Sequence, residues 1–201
     1  MLRKTSLLLC CSLASACNLT DFGSNLPDGG TCQAPSGADG GAGGARGTRG
    51  LTVASAYEVR QATGNDRERL SFALYERPTA CADVQVEVSD GGSTGGAWRI
   101  GDLTVTVNGR PNGPVAAGRV EIGFLPDAGY GTVERFVNEP TGAPDGGRHL
   151  AYLAAKSGWV ELDSIEPCRA AGRFSAMMDE GDGGLSALEG EFGAPYCATR
   201  R

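Results

Sequence analysis

From Leu51 onward the apolar residues of this chain recur at every second position, in runs too short to be anything but strands. Leu70, Phe72 and Leu74 alternate in this way, as do Leu103, Val105 and Val107, then Val120, Ile122 and Phe124. Phe174, Ala176 and Met178 repeat the pattern, and Leu188, Gly190 and Phe192 close it. Between the runs stand Gly, Pro, Asn and Asp, the residues that set turn geometry. Period-two alternation lets a strand bury one face and wet the other, and almost no 3.6-residue periodicity competes with it. About nine short strands at roughly 8–12-residue spacing predict an all-β domain, an antiparallel sandwich or barrel. Within it, Asn108-Gly109 has the backbone tolerance of a hairpin turn, lengthened by Pro111 and Pro114. Ser157-Gly158 is short enough to make His149 to Ala155 and Gly158 to Ile165 two strands of a hairpin, and residues 78–83 suit a short helical turn.

The first sixteen residues differ in kind. Arg3 and Lys4 precede the apolar run Leu7 to Leu13, and Ala14-Ser15-Ala16 supplies small residues. That order is a secretory signal, and the run is well short of the ~20 residues of a membrane-spanning helix. Leu13-Ala14-Ser15-Ala16-Cys17 then resembles the lipobox of bacterial lipoproteins, in which a cysteine after small residues receives diacylglycerol and becomes the first residue of the mature, acylated protein. The resemblance implies lipidation at Cys17 and a stable membrane attachment through that lipid, palmitate-like chains included. Asn18 behind the cysteine resembles the outer-membrane sorting choice, so the expected location is the cell envelope, at the periplasmic or surface face of the outer membrane.

From residue 18 to about residue 50 the chain is poor in apolar side chains and rich in glycine, as in Ala38-Asp39-Gly40-Gly41-Ala42-Gly43-Gly44-Ala45. Such a stretch cannot bury enough apolar area to offset its ordering entropy. It is expected to be a disordered tether with a random-coil reach of about 30 Å. A phosphate-binding loop is excluded, because no G-x-x-x-x-G-K-[ST] pattern follows a strand. The expected organisation is therefore signal 1–16, lipidated tether 17–50 and β domain 51–201.

Cleavage of the signal would remove two of the 18 basic residues, leaving 16 against 24 acidic, a net charge of −8. No basic patch is present to take nucleic acid or anionic lipid. Cys10 and Cys11 leave with the signal and Cys17 takes lipid, so Cys32, Cys81, Cys168 and Cys197 remain. Four exported cysteines make two disulfides with three possible connectivities. None lies close enough to another to form the C-x-x-C pair that zinc sites favour.

The last strands carry Gly172-Arg173-Phe174 and then Gly190-Glu191-Phe192-Gly193-Ala194-Pro195-Tyr196-Cys197. With the lipobox and the Gly/Asp-rich tether, these resemble a group of uncharacterised myxobacterial-type lipoproteins that end in a GxFxAPxC hairpin. The resemblance implies that Cys81 pairs with Cys197 and leaves Cys32 for Cys168. It carries no activity across.

His149 is the sole histidine and no G-x-S-x-G elbow accompanies it, so a rim position is expected rather than a nucleophile relay. Five Asp-Gly-Gly triplets begin at Asp28, Asp39, Asp90, Asp145 and Asp182, spaced too irregularly for a calcium-binding repeat. Asp179 and Asp182 are candidate ligands for one calcium ion at a hairpin tip. Glu121, Glu134, Glu161, Asp163 and Glu191 lie on strand stretches, and Trp98, Trp159, Tyr130 and Tyr152 are available as a sugar platform, but nothing singles out a catalytic carboxylate pair. The expectation is a non-enzymatic binding or structural module with no cofactor, whose partner is an envelope protein or a glycan. The alternative is an envelope hydrolase acting on carbohydrate, which would need two convergent carboxylates in a cleft.

Overall fold

Alternation requires each strand to find a neighbour on both sides and a cover for its apolar face. The computed structural model describes residues 43–47, 50–63, 67–84, 87–88, 98–99, 101–125, 127–140, 148–181 and 183–197. The expected signal, Cys17, Cys32 and the tether up to residue 42 lie outside the described residues.

The strands are β1 (Gly43–Gly47), β2 (Leu51–Thr52), β3 (Ser55–Thr63), β4 (Arg67–Tyr75), β5 (Glu87–Val88) and β6 (Trp98–Arg99). They continue as β7 (Leu103–Asn108), β8 (Gly118–Glu121), β9 (Tyr130–Pro140), β10 (Arg148–Glu166), β11 (Arg169–Asp179) and β12 (Leu185–Pro195). Ten form one antiparallel sheet in the order β2-β1-β12-β11-β10-β9-β7-β4-β3, with β8 added to β10, while β5 and β6 pair separately. The sheet curls into a half-barrel, so the expected all-β antiparallel class holds. The only helical element among the described residues is the 3-10 turn Cys81–Asp83, where a short turn was expected. No helix of the described residues is long and apolar enough to cross a membrane.

Inside the curl lie Leu70, Phe72 and Leu74 of β4, Leu103, Val105 and Val107 of β7, and Phe174, Ala176 and Met178 of β11. Leu188 and Phe192 complete the layer from β12. A smaller apolar cluster sits on the opposite face of β3 and β4, where Tyr57, Val59 and Ala73 are covered by Cys81, Val84 and Cys197. Cys81 and Cys197 are joined as a disulfide across 116 residues, the pairing implied by the lipoprotein resemblance. Cys168 also forms a disulfide, and Cys32, its implied partner, is outside the described residues.

Three local expectations change. His149 to Ala155 and Gly158 to Ile165 are one 19-residue strand, not a hairpin. β10 bulges between Ala155 and Ser157, and the extra residue flips the side-chain phase. Leu153 before the bulge and Val160 after it can therefore both face the core. Gly158 sits there at φ 130° with no room for a Cβ, which would lie 2.1 Å from the Ser175 carbonyl oxygen. Asn108-Gly109 is not a hairpin turn either, because β7 pairs with β4 and β9 while β8 pairs with β10. Finally, Gly43–Gly47 at the end of the expected tether 17–50 is strand, paired to Leu188–Phe192. This pairing requires glycine at position 190 of β12, because a Cβ there would come 2.4 Å from the Gly44 carbonyl oxygen.

The two Gly-x-Phe segments interlock. In the β11–β12 ladder Gly172 stands opposite Phe192 and Phe174 opposite Gly190. A Cβ at Gly172 would lie 2.9 Å from the Phe192 ring, and one at Gly190 2.7 Å from the Phe174 ring. Each ring thus occupies the space that the facing glycine leaves.

Candidate functional site

Two carboxyl groups are held above their ordinary range by burial, Glu58 and Glu134. Their positions follow from strand parity. Glu58 is opposite Phe72, and Phe72 opposite Val105, so Glu58 points into the half-barrel. Glu134 is opposite Thr104, and Thr104 opposite Ala73, so it stands on the outer face. The two acids lie on opposite sides of one sheet and cannot flank a common bond.

Glu58 marks the seam where β3 meets the end of β12. Its carbonyl oxygen accepts the Cys197 amide at 2.8 Å, and it forms a parallel bridge with Tyr196. Its carboxylate is fully buried, with Oε1 2.5 Å from Arg60 Nε and Oε2 lacking a hydrogen-bond partner in the structure. Desolvation is the larger influence on the acid and outweighs the opposing pull of Arg60. Arg60 also donates to the Glu166 carbonyl oxygen at 2.7 Å and lies 5.5 Å from the Tyr196 ring. Sequence reasoning did not single out Glu58, which alternates along β3 with Tyr57 and Val59.

On the outer face, alternate residues of β9 make a stripe of Tyr130, Thr132, Glu134 and Phe136, about 20 Å long at ~3.4 Å per residue. Tyr152 stands opposite Phe136, with ring centroids 5.4 Å apart. It donates its hydroxyl proton to Glu134 Oε1 at 3.0 Å. Burial pushes the Tyr152 hydroxyl upward, and the neighbouring Glu134 charge adds to the rise. The hydrogen bond in turn offsets part of the desolvation of Glu134, with Arg69 helping from β4. At the other end of the stripe Phe124 meets Tyr130 edge to face at 5.4 Å. Phe124 is 73% exposed and Tyr152 47%, whereas Ser71, Thr104, Thr106 and Asn108 beside the stripe are buried.

The chain matches no family model, no curated protein and no solved structure.

The other candidates are scattered. Asp179 is held below its ordinary range first by the Lys156 ammonium, 2.9 Å away, and then by the Gly181 amide, while Asp182 is outside the described residues. Among the described residues no three His, Cys, Asp or Glu side chains gather around a metal-sized space. Glu161 and Asp163 reach toward Arg173, and Glu121 toward Arg119, all on the surface. Glu191 is exposed on β12. Trp159 lies under the Arg119 guanidinium at 4.5 Å, away from the β9 stripe. His149 is in β10 opposite Glu139, and the side chains of His149 and Trp98 lie outside the described residues. Of the sequence candidates, the sheet brings together Glu134 and Tyr152, with Tyr130 on the same face.

Proposed function

We propose that this chain is a lipid-anchored lipoprotein of the cell envelope, attached through Cys17, whose disulfide-braced β domain is a non-enzymatic binding or structural module. The observation that carries the anchor is Leu13-Ala14-Ser15-Ala16-Cys17 behind a short positive and apolar segment. The module reading is supported by the separation of Glu58 and Glu134 on opposite faces. Its partner is an envelope protein or a glycan, met within reach of the tether at the outer membrane. Replacing Cys17 by Ser should move the protein from the detergent phase to the aqueous phase; unchanged partitioning refutes the anchor.

A second reading, an envelope hydrolase acting on carbohydrate, draws on one observation. Glu134, with its carboxyl held high, sits beside the exposed ring of Tyr152 as a proton donor to a sugar would. The other strand carboxylates Glu161, Asp163 and Glu121 are engaged by Arg173 and Arg119. Release of reducing ends from a glycan by the wild type, lost in Glu134→Gln, would decide for this reading.

A further inference from the structure

We propose that the β9 stripe is a binding site for an extended neutral glycan, with one sugar ring stacked on Tyr152 and its hydroxyls bonded to Glu134. This rests on the reading of the domain as a binding module and names the ligand class that the module takes.

Rigidity is the first argument. Tyr152 projects from the middle of a ladder, its hydroxyl fixed by Glu134 and its ring set against Phe136. An exposed aromatic ring held on two sides loses little freedom on binding. Its flat apolar face suits the C–H face of a sugar, while its polar end stays in a hydrogen-bonded network.

Charge is the second. A carboxylate accepts hydrogen bonds, and Glu134 accepts one from the Tyr152 hydroxyl through Oε1. A ligand covering Glu134 must therefore supply donors, because burying that group unmatched is costly. Among the described residues, the guanidiniums of this face that lie beside the stripe are already engaged. Arg69 bonds to Asn108 Oδ1 at 3.0 Å, and Arg67 bonds to the carbonyl oxygens of Gly109 and Ala128 at 3.2 Å each. Among the described residues an acidic ligand would meet Glu134 with no spare cation to offset it, and a purely apolar one would strand the carboxylate. Hydroxyl-rich and uncharged is the chemistry that remains.

Shape is the third. The stripe presents side chains rather than an open strand edge, so a peptide cannot add to it as a further strand. Aromatic plates stand at both ends, Tyr152 beside Phe136 and Phe124 beside Tyr130, with Thr132 and Glu134 between them. The spacing of about 20 Å between the two plates, at ~3.4 Å per strand residue, suits a chain of sugars rather than a single one.

The test is calorimetric titration of the detergent-solubilised full chain with cellohexaose, chitohexaose and maltohexaose. One of them should bind, with Tyr152→Ala and Glu134→Ala each weakening it about tenfold or more. Tyr152→Phe, which keeps the ring, should cost less than Tyr152→Ala. Phe124→Ala should weaken the hexasaccharide and leave the matching disaccharide unchanged. Should Tyr152→Ala not fold, the Phe124→Ala contrast between long and short glycans carries the test. Absence of binding to all three, or equal binding by wild type and Tyr152→Ala, overturns the glycan site. If Cys17→Ser still frees the protein from membranes in that case, the anchored module stands without it. Cleavage of a bound hexasaccharide that depends on Tyr152 would support the site and overturn the non-enzymatic reading.

Discussion

Phe72 and Phe192 meet with ring centroids 4.3 Å apart, although five steps of the sheet order separate β4 from β12. A flat sheet would hold them far apart, so their contact records the curl that makes one core from two sheet halves. Both rings are buried. Phe72→Ala or Phe192→Ala should each cost about 3–5 kcal/mol in urea unfolding. The double variant should lose less than the sum, since the rings share one space. Strict additivity would mean that the two halves pack independently.

The Cys81–Cys197 disulfide ties the turn after β4 to the end of β12 across 116 residues. A loop of that size is worth about 3–5 kcal/mol of denatured-state entropy. Replacing both cysteines by Ala should lower the unfolding free energy by that amount and loosen the Glu58–Cys197 seam first. Hydrogen exchange at the Cys197 position, whose amide is bonded to Glu58, should speed up before exchange in β7 does.

The interlocked glycines can be tested against an open one. Gly172→Ala brings a Cβ to 2.3 Å from the Glu161 carbonyl oxygen, and Gly190→Ala brings one to 2.4 Å from that of Gly44. Backbone on both sides leaves nothing to yield, and each should cost about 1–3 kcal/mol or more. Gly44 has nothing within 4 Å of an added Cβ. Gly44→Ala should stay within about 0.5 kcal/mol of wild type by thermal melting.

Glu58 makes a pH-dependent contribution of defined sign. Its carboxyl is raised in the fold, first by desolvation, so the folded state holds the proton more tightly than the unfolded chain. The stability it gives is full below the unfolded value and is lost as pH rises through the folded one. Glu58→Gln keeps an acceptor for Arg60 and removes the titration. Urea midpoints should favour the Gln variant more at pH 7 than at pH 4, and a constant difference would refute the assignment.

Tyr152 lowers the Glu134 carboxyl through its hydrogen bond, against the larger desolvation that raises it. Tyr152→Phe should therefore move the Glu134 titration further upward, read by carboxyl carbon NMR. No movement would show that the two groups are not bonded in solution.

Much of the fold was legible in the sequence, because period-two alternation leaves few alternatives to strands. The Gly-x-Phe segments were visible as a motif, but their reciprocal packing was not. β10 was misread as two strands, since a bulge changes the phase of alternation in a way that one sequence cannot distinguish from a turn. Of the candidate site, Glu134 and Tyr152 were each noticed, one as a strand carboxylate and the other as an aromatic. Eighteen residues apart in the chain, they become neighbours only when β9 and β10 adopt their register.

The sequence by itself determined a β domain, since alternation depends on residue type and spacing along the chain. Only the tertiary structure decided which side of each strand is inside. Ala56 and Glu58 alternate with Tyr57 and Val59, and both pairs are buried. The choice is made by Cys81, Val84 and Cys197, which arrive from elsewhere in the chain to cover Tyr57 and Val59 and turn Glu58 inward. Burial is a property of what packs on a face, and that partner is distant in sequence.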